Sequence, residues 1–290
     1  TNYNKEEKKM VGGKNGFGFK LVLIWSTEGS IETIDHVRKL KYTQKFSSNL
    51  DVIDKPKITK CSSKPYTKIT FKPDYQRFGL TELSQDMINL FIKRIYDISA
   101  VTKKHIKVTY NKKVLDIKNL QQYIDLYIGP KSDHERIYEE VNDRWHYAVC
   151  MSPSQEFSQV SFVNGIYTSK GGKHVEYILN QITKKLIAYI EKKKKVTVNA
   201  NSIKEQLMLF IRCDIENPSF DSQTKDYMNT PYTKFGSTCI VNDKCIDKIA
   251  KLGVMESACA ISEIKDNKAA KKTDGSKSKN IRGIPKLIDA

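Results

Sequence analysis

The stretch FSQVSFVNGIYTSKGGKHVEYILNQITKKLIAYI, residues 157–190, changes its hydrophobic period midway. Its first ten residues read as a strand. Ser169-Lys170-Gly171-Gly172 then reads as a turn. Beyond the turn, Val175, Ile178, Leu179, Ile182, Leu186 and Ile190 recur at helical spacing and form one apolar stripe. A further strand lies on either side, RWHYAVCMS (144–152) upstream and QLMLFIRCDI (206–215) downstream. Strands, then a helix, then a strand predict a βαβ-type domain with its helix packed on its sheet.

Upstream of these strands, GPKSDHE (129–135) is polar and carries Gly129 and Pro130, so the composition predicts a domain boundary between residues 128 and 129. Ahead of it, Thr67, Ile69 and Phe71 alternate with polar neighbours up to Pro73, as a half-buried strand does. Leu83, Met87, Leu90, Phe91, Arg94 and Ile98 predict an amphipathic helix over LSQDMINLFIKRIYDIS. Ile106, Val108 and Tyr110 run into Asn111-Lys112-Lys113, a hairpin signal. The apolar run FKLVLIW (19–25) fits a short buried strand or a helix equally well. Residues 265–282 have almost no apolar content and read as a mobile linker. The closing IRGIPKLIDA turns apolar again, as at the start of another domain. Thr1 is not an initiator methionine, so the natural start is expected upstream.

The chain has 290 residues, enough for one or two domains with a real core. Its net charge of +17 attracts polyanions: nucleic acid, an anionic membrane surface or a nucleotide. Lysine, asparagine and isoleucine are frequent, so the bias of an AT-rich genome is a competing cause of that charge. The six cysteines form no C-x-x-C pair, which argues against zinc and for the reduced thiols of an intracellular protein. No apolar run is long enough to span a bilayer, and no signal peptide is visible. The five histidines have no dyad spacing and receive no chemistry.

Two stretches carry candidate chemistry. In GGKNGFGFK (12–20), four of the chain's 14 glycines fall within seven residues. Bare backbone N–H groups in such a loop wrap an anion, with Lys14 and Lys20 adding positive charge. The spacing G-x-x-G-x-G (Gly13, Gly16, Gly18) is neither a P-loop nor a dinucleotide fingerprint, and a plain flexible loop fits it too. In IENPSFDSQTKD (215–226), turn signals project Gln223 and Lys225. A lysine there can pair with a terminal phosphate, and a glutamine can orient water. Nothing in the spacing links the two stretches, and the second fits an ordinary polar loop.

The chain resembles the ATPase region of eukaryotic-type DNA topoisomerase II. The resemblance rests on TNYNKEEKKMVGGKNGFGFK, YTKITFKPDYQRFG, VNDRWHYAVCMS, QVSFVNGIYTSKGGKHVEYI, IENPSFDSQTKD, KFGSTC and IRGIPKLIDA, which follow the family's order from end to end. It implies an α+β architecture. Residues 1–128 would be the back part of a GHKL (Bergerat) ATPase sandwich, 129–264 a transducer domain like ribosomal protein S5, and 265–290 a linker into a TOPRIM domain. It implies an ATP lid at Gly13, Lys14, Asn15, Gly16, Phe17, Gly18, Phe19 and Lys20, with Thr1 and Asn2 also touching the nucleotide. Phe19 departs from the family's small alanine, which would slow lid closure. Gln223, Thr224 and Lys225 would be the switch loop, Lys225 reaching the γ-phosphate.

Lys192, Lys193, Lys194 and Lys195 would touch a captured DNA duplex, on a loop shortened by the absence of the usual following glycines. The resemblance further implies a homodimer whose ATP-driven gate passes one duplex through another to relax and decatenate DNA. Its Mg²⁺ ligands and general base would lie before Thr1 and its cleavage tyrosine after Ala290, so these residues alone would not turn over ATP. The compartment would be the nucleus for a cellular protein and a replication compartment for a viral one, with no membrane partner. Two other readings stand beside this one: a basic DNA-binding or dimerisation module with a non-hydrolysing nucleotide loop, and a gyrase-like supercoiling enzyme.

Overall fold

The computed structural model describes residues 7–13 and 16–264. The expectations for Thr1, Asn2, Lys14, Asn15 and the stretch 265–290 lie outside them. The chain divides into two compact units between Ile95 and Tyr96.

The first unit opens on helix α1 (Phe17–Ile24), followed by strands β1 (Ser26–Asp35), β2 (Leu40–Ser47), β3 (Val52–Ile53), β4 (Lys57–Lys60) and β5 (Thr67–Pro73). FKLVLIW is therefore helical. Gly16 starts the helix in a left-handed conformation, φ +67°. The strands form one antiparallel sheet in the order β3-β2-β1-β5, with β4 on the far end of β2. Leu23 of α1 is buried against this sheet: a Cβ on Gly29 of β1 would lie 2.3 Å from its Cδ2, so any other residue there would force the leucine to shift. The strand expected at Thr67, Ile69 and Phe71 forms, but it is not half-buried: every residue from Thr67 to Lys72 is exposed, Ile69 and Phe71 each by 49%.

Helix α2 (Gln85–Val101) contains the boundary between the units. The sequence put Leu90, Phe91 and Ile98 on its buried stripe. In the structure they are about half exposed, and Asp97, Ser99 and Ala100 are the buried positions. The reason is a polar network. Asp97 accepts a 2.5 Å hydrogen bond from the Tyr123 hydroxyl, which sits 2.9 Å from that of Tyr127, and Ser99 Oγ donates to the Ile117 carbonyl.

The second unit continues with the hairpin β6 (Thr109–Tyr110) and β7 (Lys113–Val114), turning at Asn111 and Lys112, both at positive φ as two-residue hairpin turns require. Helix α3 (Leu120–Ile128) and strands β8 (Arg136–Asn142), β9 (Trp145–Met151), β10 (Ser158–Val163), β11 (Ile166–Tyr167) and β12 (Gly171–Gly172) follow. Helix α4 (Lys173–Lys194), helix α5 (Ala200–Lys204), strands β13 (Leu207–Cys213) and β14 (Tyr227–Met228) and helix α6 (Asp243–Ile249) come next, and the chain runs on in helical turns from α6 to residue 264. The main sheet runs β11-β10-β13-β9-β8. β10 and β13 are parallel, joined through α4, which is the βαβ unit expected.

This sheet is covered on both faces. Trp145, Tyr147, Val149, Leu207, Leu209 and Ile211 meet the α4 stripe. Ala148, Cys150, Val160, Phe162, Met208 and Phe210 meet α3. Burial on both faces explains why QLMLFIRC is continuously apolar instead of alternating. It also corrects the expected boundary at 128/129. GPKSDHE is only the α3–β8 loop: Arg136 reaches back to the Gly129 carbonyl (3.1 Å) and to Asp125, and α3 belongs to the second unit's core.

Candidate functional site

Each unit holds part of the candidate chemistry. In the first, Gly16 is the N-cap of α1 and no side chain caps that end. The early N–H groups of a helix lack intrahelical acceptors and sum with the helix dipole to attract anions. Among the described residues, a Cβ at Gly16 or Gly18 would meet nothing within 4 Å. Gly13, Phe17 and Lys20 are exposed. Phe19 instead turns inward, its ring 6.3 Å from that of Phe46 on β2, edge to face. Its bulk therefore seats α1 on the sheet. At the other end of α1, Asn49 Nδ2 (3.1 Å) and Arg77 Nη1 (2.9 Å) donate to the Ile24 carbonyl, while Arg77 lies over Trp25. The helix is thus gripped at its C-terminus, and among the described residues no side chain caps its N-terminus.

In the second unit, Gln223, Thr224 and Lys225 lie on the loop between β13 and β14. The start of this loop is tied to the segment that follows β14: Glu216 N–H donates to the Phe235 carbonyl (3.1 Å). Arg144 spans both, donating from Nε to Asp214 O (2.9 Å), from Nη1 to Gly236 O (2.9 Å) and from Nη2 to Phe235 O (3.0 Å), with Glu216 Oε1 at 3.3 Å. Within the loop, Lys225 N–H donates to Ser222 O (3.2 Å), and Lys225 takes a left-handed φ of +62°. A lysine in that conformation is uncommon and marks local strain. Its Nζ lies 5.9 Å from the Phe220 ring centroid. Gln223 is exposed. Thr224 Oγ1 is engaged inside the loop, donating to Asp226 Oδ2 (2.8 Å) and lying 2.8 Å from Ser222 Oγ.

The loop is tied to the start of α4. β12 pairs in parallel with β14, Gly172 opposite Met228. Asp226 accepts from Lys170 N–H (2.9 Å, carbonyl) and Ser169 Oγ (3.0 Å, carboxylate), and the Tyr227 hydroxyl donates to Glu176 on the first turn of α4 (2.8 Å). The SKGG turn is therefore the mount of the QTK loop, which neither stretch discloses alone. Sequence reading missed Arg144, Asp226 and Gly172. Asp226 adjoins the motif and could have been flagged; Arg144 carries no local signal.

His174, the second residue of α4, is fully buried and shares a 3.2 Å hydrogen bond between Nε2 and Thr168 Oγ1. Burial pushes its pKa down to about 3, although Glu176 nearby favours the charged form. The unfolded chain binds a proton near pH 6.5 and the folded one only near 3, so stability is complete above pH 6.5 and declines as pH falls through that window. The expected slope from this residue approaches about 1.4 kcal/mol per pH unit. Urea unfolding at pH 7 and pH 5, where carboxylates contribute least, should show it. In His174→Gln the pH 7 to pH 5 loss should shrink; an undiminished loss would assign the acid sensitivity elsewhere.

The basic run sits where the sequence put it: Lys192, Lys193 and Lys194 close α4, and Lys195 (φ +58°) is its C-cap. All four are exposed. Only residues 195–199 separate α4 from α5, so the loop is short, as expected. Among the described residues no group of three or more His, Cys, Asp or Glu is placed to hold a metal ion, and no helix is long and apolar enough to cross a membrane.

A family model described as DNA gyrase B matches residues 99–280. DNA topoisomerase 2 of Arabidopsis thaliana is 43% identical over 298 residues, covering the whole of this chain and 20% of that protein. The chain thus spans about a fifth of the length of the curated relatives it matches. The ATPase region of Saccharomyces cerevisiae topoisomerase II superposes with a TM-score of 0.81 at 41% identity, over 89% of this chain and 67% of that one. The ATPase and transducer domains of topoisomerase II from Balamuthia mandrillaris give 0.84 at 36% identity, over 92% and 69%. The chain belongs to the DNA gyrase B family, and the ATPase regions of eukaryotic topoisomerase II are its counterparts there.

Proposed function

We propose that this chain is the nucleotide-responding part of a eukaryotic-type II DNA topoisomerase, an enzyme that passes one DNA duplex through a transient break in another. The observation that carries the reading is the loop between β13 and β14, which offers Lys225 from a strained left-handed turn and is mounted directly on the first turn of α4. The ATPase regions it resembles support the nucleotide assignment. Gly16, Gly18 and the uncapped first turn of α1 fit a phosphate group. In this reading Gly13, Lys14, Asn15, Gly16, Phe17, Gly18 and Lys20 form the ATP lid, with Thr1 and Asn2 beside it. Phe19 anchors the lid helix to its sheet. Bound ATP supplies the terminal phosphate that hydrolysis removes.

Lys225 is the cation that reads that terminal phosphate, and Gln223 is the neutral donor beside it. A state with the lysine–phosphate pair and a state without it differ by that contact alone, and a domain equilibrium shifts only by such a difference. Losing one partner of a desolvated pair costs about 2–5 kcal/mol. No described residue is proposed as a Mg²⁺ ligand. The partners in this reading are duplex DNA, met by the lysine run at the end of α4, and a second copy of the chain; the compartment is the nucleus.

The test is nucleotide discrimination. With a fluorescent ATP analogue and its diphosphate, the full chain should prefer the triphosphate, and Lys225→Ala should lose about thirtyfold for the triphosphate alone. Equal losses for both nucleotides, or none, would overturn the role given to Lys225.

A further inference from the structure

Lys185, Tyr189 and Lys193 are spaced i, i+4, i+8 and share one stripe of α4. That stripe faces α6. Lys185 Nζ donates to Asp243 Oδ1 and to the Val241 carbonyl, both at 2.7 Å. The Tyr189 hydroxyl donates to Asp247 Oδ1 at 2.6 Å. Lys193 Nζ lies 3.9 Å from the same oxygen and 4.9 Å from the Tyr189 ring centroid. From the far side Lys251 Nζ meets Asp247 Oδ2 at 2.6 Å. Asp247 is therefore the hub of a four-residue cluster made of two i, i+4 pairs, one on α4 and one running on from α6. Lys192 and Lys194 stand about 100° to either side of Lys193 around the helix. Lys195 has already left the helix in its left-handed cap.

We infer that Lys193 is not a DNA contact but a positioning residue, which with Asp247 fixes the end of α4, and that only Lys192, Lys194 and Lys195 of the run face the duplex. The inference rests on the reading of the lysine run as a DNA surface. It changes that reading from four equivalent charges to three contacts and one tether. Asp247 holds back the charges of Lys193 and Lys251 from the polyanion, so the acid of α6 limits how many phosphates the region neutralises.

Salt dependence separates the two roles, because log K falls with log[salt] by about 0.9 per phosphate contact on duplex DNA. Binding of the full chain to a fluorescent duplex would be titrated from about 50 to 200 mM KCl, the range over which such contacts change affinity most. Lys192→Ala, Lys194→Ala and Lys195→Ala should each flatten the slope by about 0.9. Lys193→Ala should leave it unchanged. Asp247→Asn should steepen it by one contact or more, as Lys193 and Lys251 are released, and adding Lys193→Ala to that variant should reverse part of the change. A slope that falls in Lys193→Ala as it does in its neighbours overturns the inference and leaves the DNA surface standing, as does an unchanged slope in Asp247→Asn. No salt-dependent binding by the unaltered chain overturns the DNA surface itself. Lys193 is half exposed, so its alanine variant should fold.

Discussion

Replacing Gly172 by alanine should lower the melting temperature of the second unit by about 6–12 °C, the counterpart of roughly 3 kcal/mol in a unit of this size. Gly172 has φ +143°, a conformation open essentially to glycine alone. A Cβ there would lie 2.3 Å from Met228 O, 2.6 Å from Met228 N and 2.9 Å from Met228 Cα. These are backbone atoms of the strand paired with Gly172, so no side-chain rotation relieves the clash. β12 must separate from β14, and with it the loop bearing Lys225 loses its mount on α4. Gly171 is the internal control. It also has positive φ (+75°), yet its Cβ would sit 3.4 Å from Val175 Cγ2, an ordinary contact. Gly171→Ala should therefore cost only the conformational strain, about 1–2 kcal/mol. A Gly172→Ala protein that melts within about 2 °C of the parent, or no lower than Gly171→Ala, would mean that the β12–β14 pairing contributes little.

Replacing Arg144 by alanine should have an effect of the same order, about 3–4 kcal/mol, through a different mechanism. One guanidinium satisfies three carbonyls, those of Asp214, Phe235 and Gly236, and faces Glu216. Hydrogen bonds from a charged donor are worth about 1.5–3 kcal/mol each, and bonds from one side chain do not add fully. Alanine removes the side-chain donor to those carbonyls, one at the start of the switch loop and two in the segment after β14, and leaves Phe235 O only the Glu216 amide. Lysine should recover less than half of the loss, because a point-like ammonium cannot span the geometry of the fork. Beyond urea unfolding, hydrogen exchange gives the local readout: the Glu216 amide, bonded to Phe235 O, should exchange faster in Arg144→Ala. Unchanged protection at Glu216 would show that the loop closes without the arginine.

Much of the second unit is legible in the residues. The α4 stripe, the strands flanking it and the parallel β10–β13 pairing follow from periodicity. The first unit yields less. FKLVLIW is apolar on every side, so its period does not separate strand from helix, and the deciding feature is the left-handed Gly16 before it. In α2 the period was correct and the face was not. Hydropathy ranks Ile98 above Asp97, but Asp97 is the one with a buried tyrosine partner twenty-six positions away. GPKSDHE has the composition of a linker and is a loop, because composition marks where chain meets water and not where a core ends. At the site, the motif residues were readable and their supports were not. Arg144 and Gly172 act on segments more than fifty residues away, and Lys193 differs from its neighbours only through Asp247 on another helix.

The strand order of the second unit has a consequence for its synthesis. β13 is the middle strand of five and the last of them to leave the ribosome. Until residues 207–213 emerge, β9 and β10 have no neighbour between them, and each presents a bare row of amides beside side chains such as Tyr147, Val149, Val160 and Phe162. Such unpaired edges are templates for association with other chains. The nascent protein is therefore most exposed to aggregation while α4 is already made and its keystone strand is not.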